Sequence, residues 1–286
     1  MQIITLTTDM GLLDHYVAAL KGSIFSLDAS VQIVDISHQV HAFDVIQEAY
    51  FVRSCFRDFP AGTVHICAVD SEPVINFGSS SSGSFPSIML FEGHYFISND
   101  NGFFGLLLDG NQPEKFWRLE DVMSNPNMLK FPIKNILVPA AIKICQKVEI
   151  ETFAIENEFK RAFSINAVTE ENLIRGNVVH IDHFGNIITN ISKELFQRIG
   201  QNAPFTIFFR KKEYYIEEIS NTYSDAVEGE KVAVFNSNDM LEIAINKGAN
   251  GRNGGASSLF GINLQDIVRI EFTPRGSKET LESLFI

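Results

Sequence analysis

Basic residues are scarce in this chain. It has 286 residues, with 23 Lys and Arg against 35 Asp and Glu, a formal net charge of −12 at pH 7. A polyanion partner needs a basic stripe that neutralises phosphates. Nucleic acid is therefore not an expected partner, and the acidic balance favours small cationic ligands instead. Unbroken apolar runs of the roughly 18 residues needed to span a bilayer are also missing, so no membrane association is expected. The opening MQIITLTTDMG lacks the basic stretch and long apolar core of a secretion signal. Cysteine is rare: Cys55, Cys67 and Cys145 are widely spaced in largely apolar surroundings. They read as buried thiols in a reducing compartment, which makes a cytoplasmic location the expectation. No P-loop, nucleophile elbow, H-E-x-x-H or C-x-x-C is present. The His38/His41 and His180/His183 pairs suit surface turns or strand polarity, so no metal and no other cofactor is expected.

What is present reads as two textures. Residues 2–7 form a β-branched strand, and a helix with Asp14 near its start follows, carrying Tyr16, Val17, Leu20 and Ile24 at helical spacing. VQIVDI, a helix from Asp44 to Phe56 and TVHICAV continue the alternation, which predicts parallel strands with helices on both faces. IMLFEGHYFIS predicts a hairpin turning at Glu92-Gly93, and a helix is expected over 136–146 with Asn135 as its N-cap. From about 165 short strands alternate with turns, as in a small antiparallel barrel or sandwich. The expected architecture is thus an α/β domain over 1–160, a mostly parallel sheet between helices, joined to an all-β barrel-like domain over 165–286. The Gly/Ser runs at 78–84 and 248–258 read as loops, the first a possible lid and both with flexible connection as the plainer reading.

Ligands of parallel sheets bind beyond the carboxyl ends of the strands. Asp9 and Asp70 stand at two such ends. A second polar segment, VVHIDHFGNIITNI, offers Asp182, Asn186 and Asn190 beside the ring of Phe184. An Asp can accept both hydroxyls of a ribose and an Asn amide can donate and accept at a purine edge. On residues alone, this segment is either a nucleoside site or a D-x-x-G-N turn closing a hairpin with Phe184 in the core.

TLTTDMGLLDHYVAALKG resembles the N-terminal motif of the S-adenosylmethionine hydroxide adenosyltransferase family, which also includes the fluorinase and chlorinase. The resemblance continues in order through VQIVDISHQVHAFDVIQEAYF, GTVHICAVD, HYFISNDNG, VPAAI, GNVVHIDHFGNIITNI and NSNDMLEIAIN. It implies an α/β domain followed by a β-barrel domain, a homotrimer, and S-adenosylmethionine bound between neighbouring subunits. It also implies displacement of methionine from ribose C5′ without any cofactor. By position, Asp9 would hold the ribose diol, and Phe43 would lie near the reacting end. Asp182 would bind the methionine amino group, and Ser237 would help at its carboxylate. Phe184 and Asn186 would contact adenine, Tyr223 would cover it, and Phe131 belongs to the same substrate-binding set. The hydrolytic branch orients water with an Asp, an Arg and a His. Asp70 keeps the first position, Phe77 falls at the second and Pro132 at the third. His94, Lys134 and Glu72 are candidate substitutes. The halide-using branch places a Ser where this chain has Ile133, which offers no donor. The expected activity is hydrolysis to adenosine and L-methionine with Asp70 as the catalytic group; the alternatives are a non-catalytic binding trimer or another nucleophile.

Overall fold

The β-branched runs near the N-terminus become one side of a seven-stranded mixed sheet, with β2 at its edge. The computed structural model describes residues 2–74, 83–119, 127–162, 165–251 and 253–273, and the chain divides into two compact units, Met1–Ser164 and Ile165–Ile286. In the first unit the order along the chain is β1 (Ile3–Thr8), α1 (Tyr16–Leu27), β2 (Gln32–Ser37), α2 (Val45–Cys55), β3 (Val64–Ala68), β4 (Pro86–Phe91), β5 (His94–Asn99), α3 (Phe103–Leu108), β6 (Lys115–Leu119), α4 (Val138–Cys145) and β7 (Ala154–Glu156). The spatial order is β2-β1-β3-β5-β4-β6-β7. Strands β2, β1, β3 and β5 pair in parallel, as strand–helix alternation predicts. The β4–β5 hairpin then reverses direction, and β4, β6 and β7 pair antiparallel. Its turn is Glu92-Gly93, both at positive φ (49° and 73°), which matches the right-handed twist of the flanking strands.

Period-two alternation splits the strand side chains between two cores. Ile4, Leu6, Val64 and Ile66 pack with Leu20 and Ile24 of α1 and Ala141 of α4. On the opposite face Cys67, Met89 and Phe96 pack with Val52 of α2 and Phe103 of α3. Each fully buried Ile or Phe here contributes about 1.5–3 kcal/mol. The expected helix at 136–146 differs in its start. A π-helical segment, Ile133–Leu137, runs straight into α4. Asn135 is therefore inside the helical run and caps nothing; its amide instead donates to the carbonyls of Asn127 and Met128. Pro139, the second residue of α4, therefore sits inside a continuous helical run and has no N–H to donate into it; the π-helical turn stands immediately before it.

The second unit contains β8 (Val168–Glu170), β9 (Leu173–Ile181), β10 (Ile187–Ser192), α5 (Lys193–Gly200), β11 (Phe205–Phe209), β12 (Lys211–Ile216), β13 (Lys231–Phe235), β14 (Met240–Ile245), α6 (Ala256–Phe260) and β15 (Ile267–Phe272). The order is β12-β11-β15-β9-β10-β14-β13, with β8 beside β9, and every pair is antiparallel. The end strands β12 and β13 approach each other, so the sheet nearly closes on a core of Ile174, Ile187, Phe209, Ile243 and Val268. The 248–258 stretch is more built than its composition implies. It contains the start of α6, and Asn250 N–H donates to the Phe184 carbonyl (3.1 Å) while Ser257 N–H donates to that of Gly185 (2.9 Å). Gly255 permits this approach, since a Cβ there would strike the Phe184 carbonyl oxygen.

Candidate substrate-binding site

In the first unit the polar groups gather where the parallel strands end. Asp9 follows β1, and its Oδ2 accepts the Phe43 N–H at 3.0 Å. Phe43 is held at φ 66° with its ring 74% exposed. Left-handed backbone at a bulky residue costs on the order of 1–3 kcal/mol and concentrates at functional sites. Asp70 follows β3 and is also left-handed (φ 47°). Asn101, just beyond β5, holds that conformation: its amide donates to the carbonyls of Val69 and Asp70, both at 3.1 Å. The neighbouring Asp100 accepts the Lys160 N–H on both oxygens (3.2 and 3.0 Å), and burial raises its carboxyl to about 6.

One member of this edge is invisible in the sequence pattern. Glu48 of α2 is fully buried and accepts the Val69 N–H at 3.0 Å. Burial drives its carboxyl well above the ordinary range, and the charges of Asp9 and Asp70 add to the effect.

Of the candidate substitutes for the missing water-activating groups, His94 lies away from Asp70. His94 begins β5, at the opposite end of the strand from Asn99, and its Nδ1 lies 3.2 Å from His65 Nε2 in a buried pair that Thr5 extends. Burial lowers both imidazoles, His65 to about 3. Lys134 is exposed in the π-helical segment, and Glu72 is exposed with its carbonyl accepting from Asn99. Phe77 lies outside the described residues. Pro132 opens the π-helical segment, and Phe131 before it sets its ring edge-on to Tyr16 (6.0 Å) while packing against the α1/α4 core.

In the second unit the turn reading of the 182–186 segment holds in part. The segment is a turn closing the β9–β10 hairpin: Asp182 N–H donates to the Asn186 carbonyl at 3.1 Å. Phe184 is not in the core, however, and stands 56% exposed. Asp182 Oδ1 accepts the Asn186 N–H (2.8 Å) and Oδ2 accepts its side-chain amide (3.0 Å). Tyr223 donates its hydroxyl to Glu242 Oε1 at 2.7 Å, and Asn236 donates to the other oxygen at 3.2 Å. Burial raises the Glu242 carboxyl against these two donors, and the Asp182 charge adds to the rise. Burial also raises the Tyr223 phenol, reinforced by Glu242 and Asp182. Asp182, Asn186, Tyr223 and Glu242 thus form one polar constellation on the β10–β14 side. Glu242 and Asn236 went unnoticed in the sequence, although both lie in NSNDMLEIAIN. Ser237 is exposed in the β13–β14 turn next to Asn236.

Among the described residues, no group of three or more His, Cys, Asp or Glu is arranged to hold a metal ion, and no helix is long and apolar enough to cross a membrane.

Residues 4–154 match the model of the SAM hydroxide adenosyltransferase N-terminal domain, and residues 176–269 match that of its C-terminal domain. The chain belongs to the SAM hydroxide adenosyltransferase family. It is 27% identical to the (R)-S-adenosyl-L-methionine hydrolase of Methanocaldococcus jannaschii, over 68% of each chain. It is 25% identical to the fluorinase of Actinopolyspora mzabensis, covering 95% of this chain and 97% of that one. A crystal structure of an uncharacterized conserved protein from Thermotoga maritima superposes with a TM-score of 0.78 at 26% identity, covering 94% of this chain and 99% of the other. SAM hydroxide adenosyltransferase relatives thus span hydrolases and fluorinases, and membership alone does not choose between nucleophiles.

Proposed function

We propose that this chain hydrolyses S-adenosyl-L-methionine to adenosine and L-methionine, with Asp70 orienting the attacking water. The oxygen of water forms a bond to ribose C5′ while the C5′–S bond breaks. The electron pair passes to sulfur, which leaves as the neutral thioether of methionine, and the water surrenders a proton. The sulfonium needs no acid to depart, and the reaction as written requires no metal or organic cofactor. The rate rests on aligning water with the C5′–S bond.

The observation that carries this reading is the shared strand edge of Asp9, Phe43 and Asp70: a diol acceptor, an exposed ring and a carboxylate fixed by Asn101. In this reading Asp9 takes the ribose diol and Phe43 flanks the reacting end, with Phe131 in the same substrate-binding set. Asp182 takes the amino group, Ser237 the carboxylate, Phe184 and Asn186 the adenine, and Tyr223 lies over the base. The protein works as a cytoplasmic homotrimer with ligand between neighbouring subunits. A second reading, a trimer that binds S-adenosylmethionine or adenosine without turnover, is favoured by Pro132 standing where the hydrolytic pattern wants a His. Titration calorimetry with S-adenosylmethionine, followed by chromatography, separates them. Hydrolysis yields adenosine and methionine in equal amounts. Heat without adenosine selects the second reading, and no binding of either ligand ends both.

A further inference from the structure

Helix α2 turns Gln47, Glu48, Ala49 and Val52 inward. Three of these suit the buried side; Glu48 needs an explanation, because a buried polar group without partners is rare and costly. Its Oε1 is engaged by the Val69 N–H, but Oε2 is buried with no hydrogen-bond partner. Two further buried hydroxyls without partners, Thr7 Oγ1 and Ser98 Oγ, stand on the strands flanking β3. Thr7 lies opposite Cys67, and Ser98 is one step beyond the Ile97–Ile66 pair. Alternation therefore places both on the Cys67 face, the one covered by α2 and α3. Three unpartnered polar atoms on one face, at the end of the strands that carry Asp9 and Asp70, mark a built feature.

The titratable groups that face Glu48 are Asp9 beyond β1, Asp70 beyond β3 and the Cys67 thiol on β3. All three are acids. Arg53, farther along α2, is already paired with Asp109 at 2.7 Å. An ionised Glu48 would meet negative neighbours, with the Val69 N–H as its hydrogen-bond donor. A protonated carboxyl avoids that penalty and carries both a donor and an acceptor.

We propose that Glu48 is a positioning residue of the candidate site: a neutral carboxylic acid that fastens α2 to the end of β3, setting the backbone from which Asp70 projects without adding a second negative charge beneath it. The catalytic consequence rests on the hydrolase reading; the protonation state does not. As pH rises, loss of the Glu48 proton forms a buried charge between Asp9 and Asp70, and the end of β3 must open to hydrate it.

The test compares the full chain with Glu48→Gln, which keeps the shape and both hydrogen-bond roles but has no proton to lose, and with Glu48→Ala. The infrared difference spectrum of wild type minus E48Q is expected to show a protonated-carboxyl band at neutral pH. Near neutrality E48Q should turn over S-adenosylmethionine within about threefold of wild type with KM unchanged, and it should lack the alkaline fall in kcat that wild type shows. Glu48→Ala, which strips the acceptor from Val69 N–H, should lose about tenfold or more in kcat with a smaller change in KM. Absence of the carboxyl band, or superimposable pH profiles for wild type and E48Q, overturns the proposal. If wild type binds but does not consume S-adenosylmethionine, the hydrolase reading fails, and the same pH comparison is read from adenosine affinity. Loss of adenosine binding as well overturns both readings, whatever the infrared band shows.

Discussion

The two units prepare polar groups in opposite ways. In the α/β unit, Asp9 and Asp70 follow strand ends and Phe43 bonds to Asp9; Phe43 and Asp70 stand on left-handed backbone, and Asn101 and Glu48 bond to the Val69–Asp70 segment. In the β unit, Asp182, Asn186, Tyr223 and Glu242 mainly hold one another. The first arrangement leaves its display groups reactive and depends on long-range supports. The second is largely satisfied before any ligand arrives, which suits recognition with little reorganisation.

Acid should separate the units most strongly. His65 in the first unit titrates at about 3, lowered by burial and then by His94, against 6.5 when free. The folded state therefore binds fewer protons than the unfolded one between these values, and stability is lost as pH falls from about 6.5 toward 3. The loss at full protonation is on the order of several kcal/mol. Circular dichroism and fluorescence melts at stepwise pH should show the α/β unit failing first, and His65→Leu should delay that failure. Simultaneous loss of both units, unchanged in the variant, would break the contrast.

Removing Asp182 is the next largest perturbation. Asp182→Ala strips the acceptor from two Asn186 donors and should lower stability by about 1–3 kcal/mol by thermal unfolding. Affinity for S-adenosylmethionine should fall about 100-fold by calorimetry, because the amino-group acceptor and the turn that carries Asn186 are both lost, whereas adenosine, which lacks the amino group, should lose only about 10-fold. Asn101→Ala should act differently: it frees the Val69–Asp70 backbone, so kcat should fall about 10- to 100-fold while KM changes little. Tyr223→Phe should have the smallest effect. It leaves the buried Glu242 oxygen without its hydroxyl donor, costing about 1 kcal/mol in a thermal melt, with kcat nearly unchanged.

How far the sequence carried depends on whether the signal was local. β1 and β3 were legible because their β-branched runs have strand length, and the Glu92-Gly93 turn because a glycine, which takes positive φ freely, separates two apolar runs. The antiparallel half of the first sheet was less so, since pairing β4 with β6 is a long-range choice. Asp9, Asp70 and Asp182 could be picked out as carboxylates at strand ends. Glu48 could not: in VIQEAYFV a Glu reads as the wet side of a helix, and only packing shows it inside. Asn101 hid for a related reason, its partners being 31 and 32 residues away. The 248–258 glycines suggested slack chain, whereas Gly255 permits close contact with the Asp182 turn.

Transfer of water oxygen to C5′ is the step on which the functional account stands. Wild-type protein incubated with S-adenosyl-L-methionine in oxygen-18 water, with products resolved by liquid chromatography and mass spectrometry, reads it directly. The account predicts adenosine carrying one labelled oxygen at the 5′ position, matched by methionine. Unlabelled adenosine, or no adenosine from a protein that binds the substrate, would contradict it.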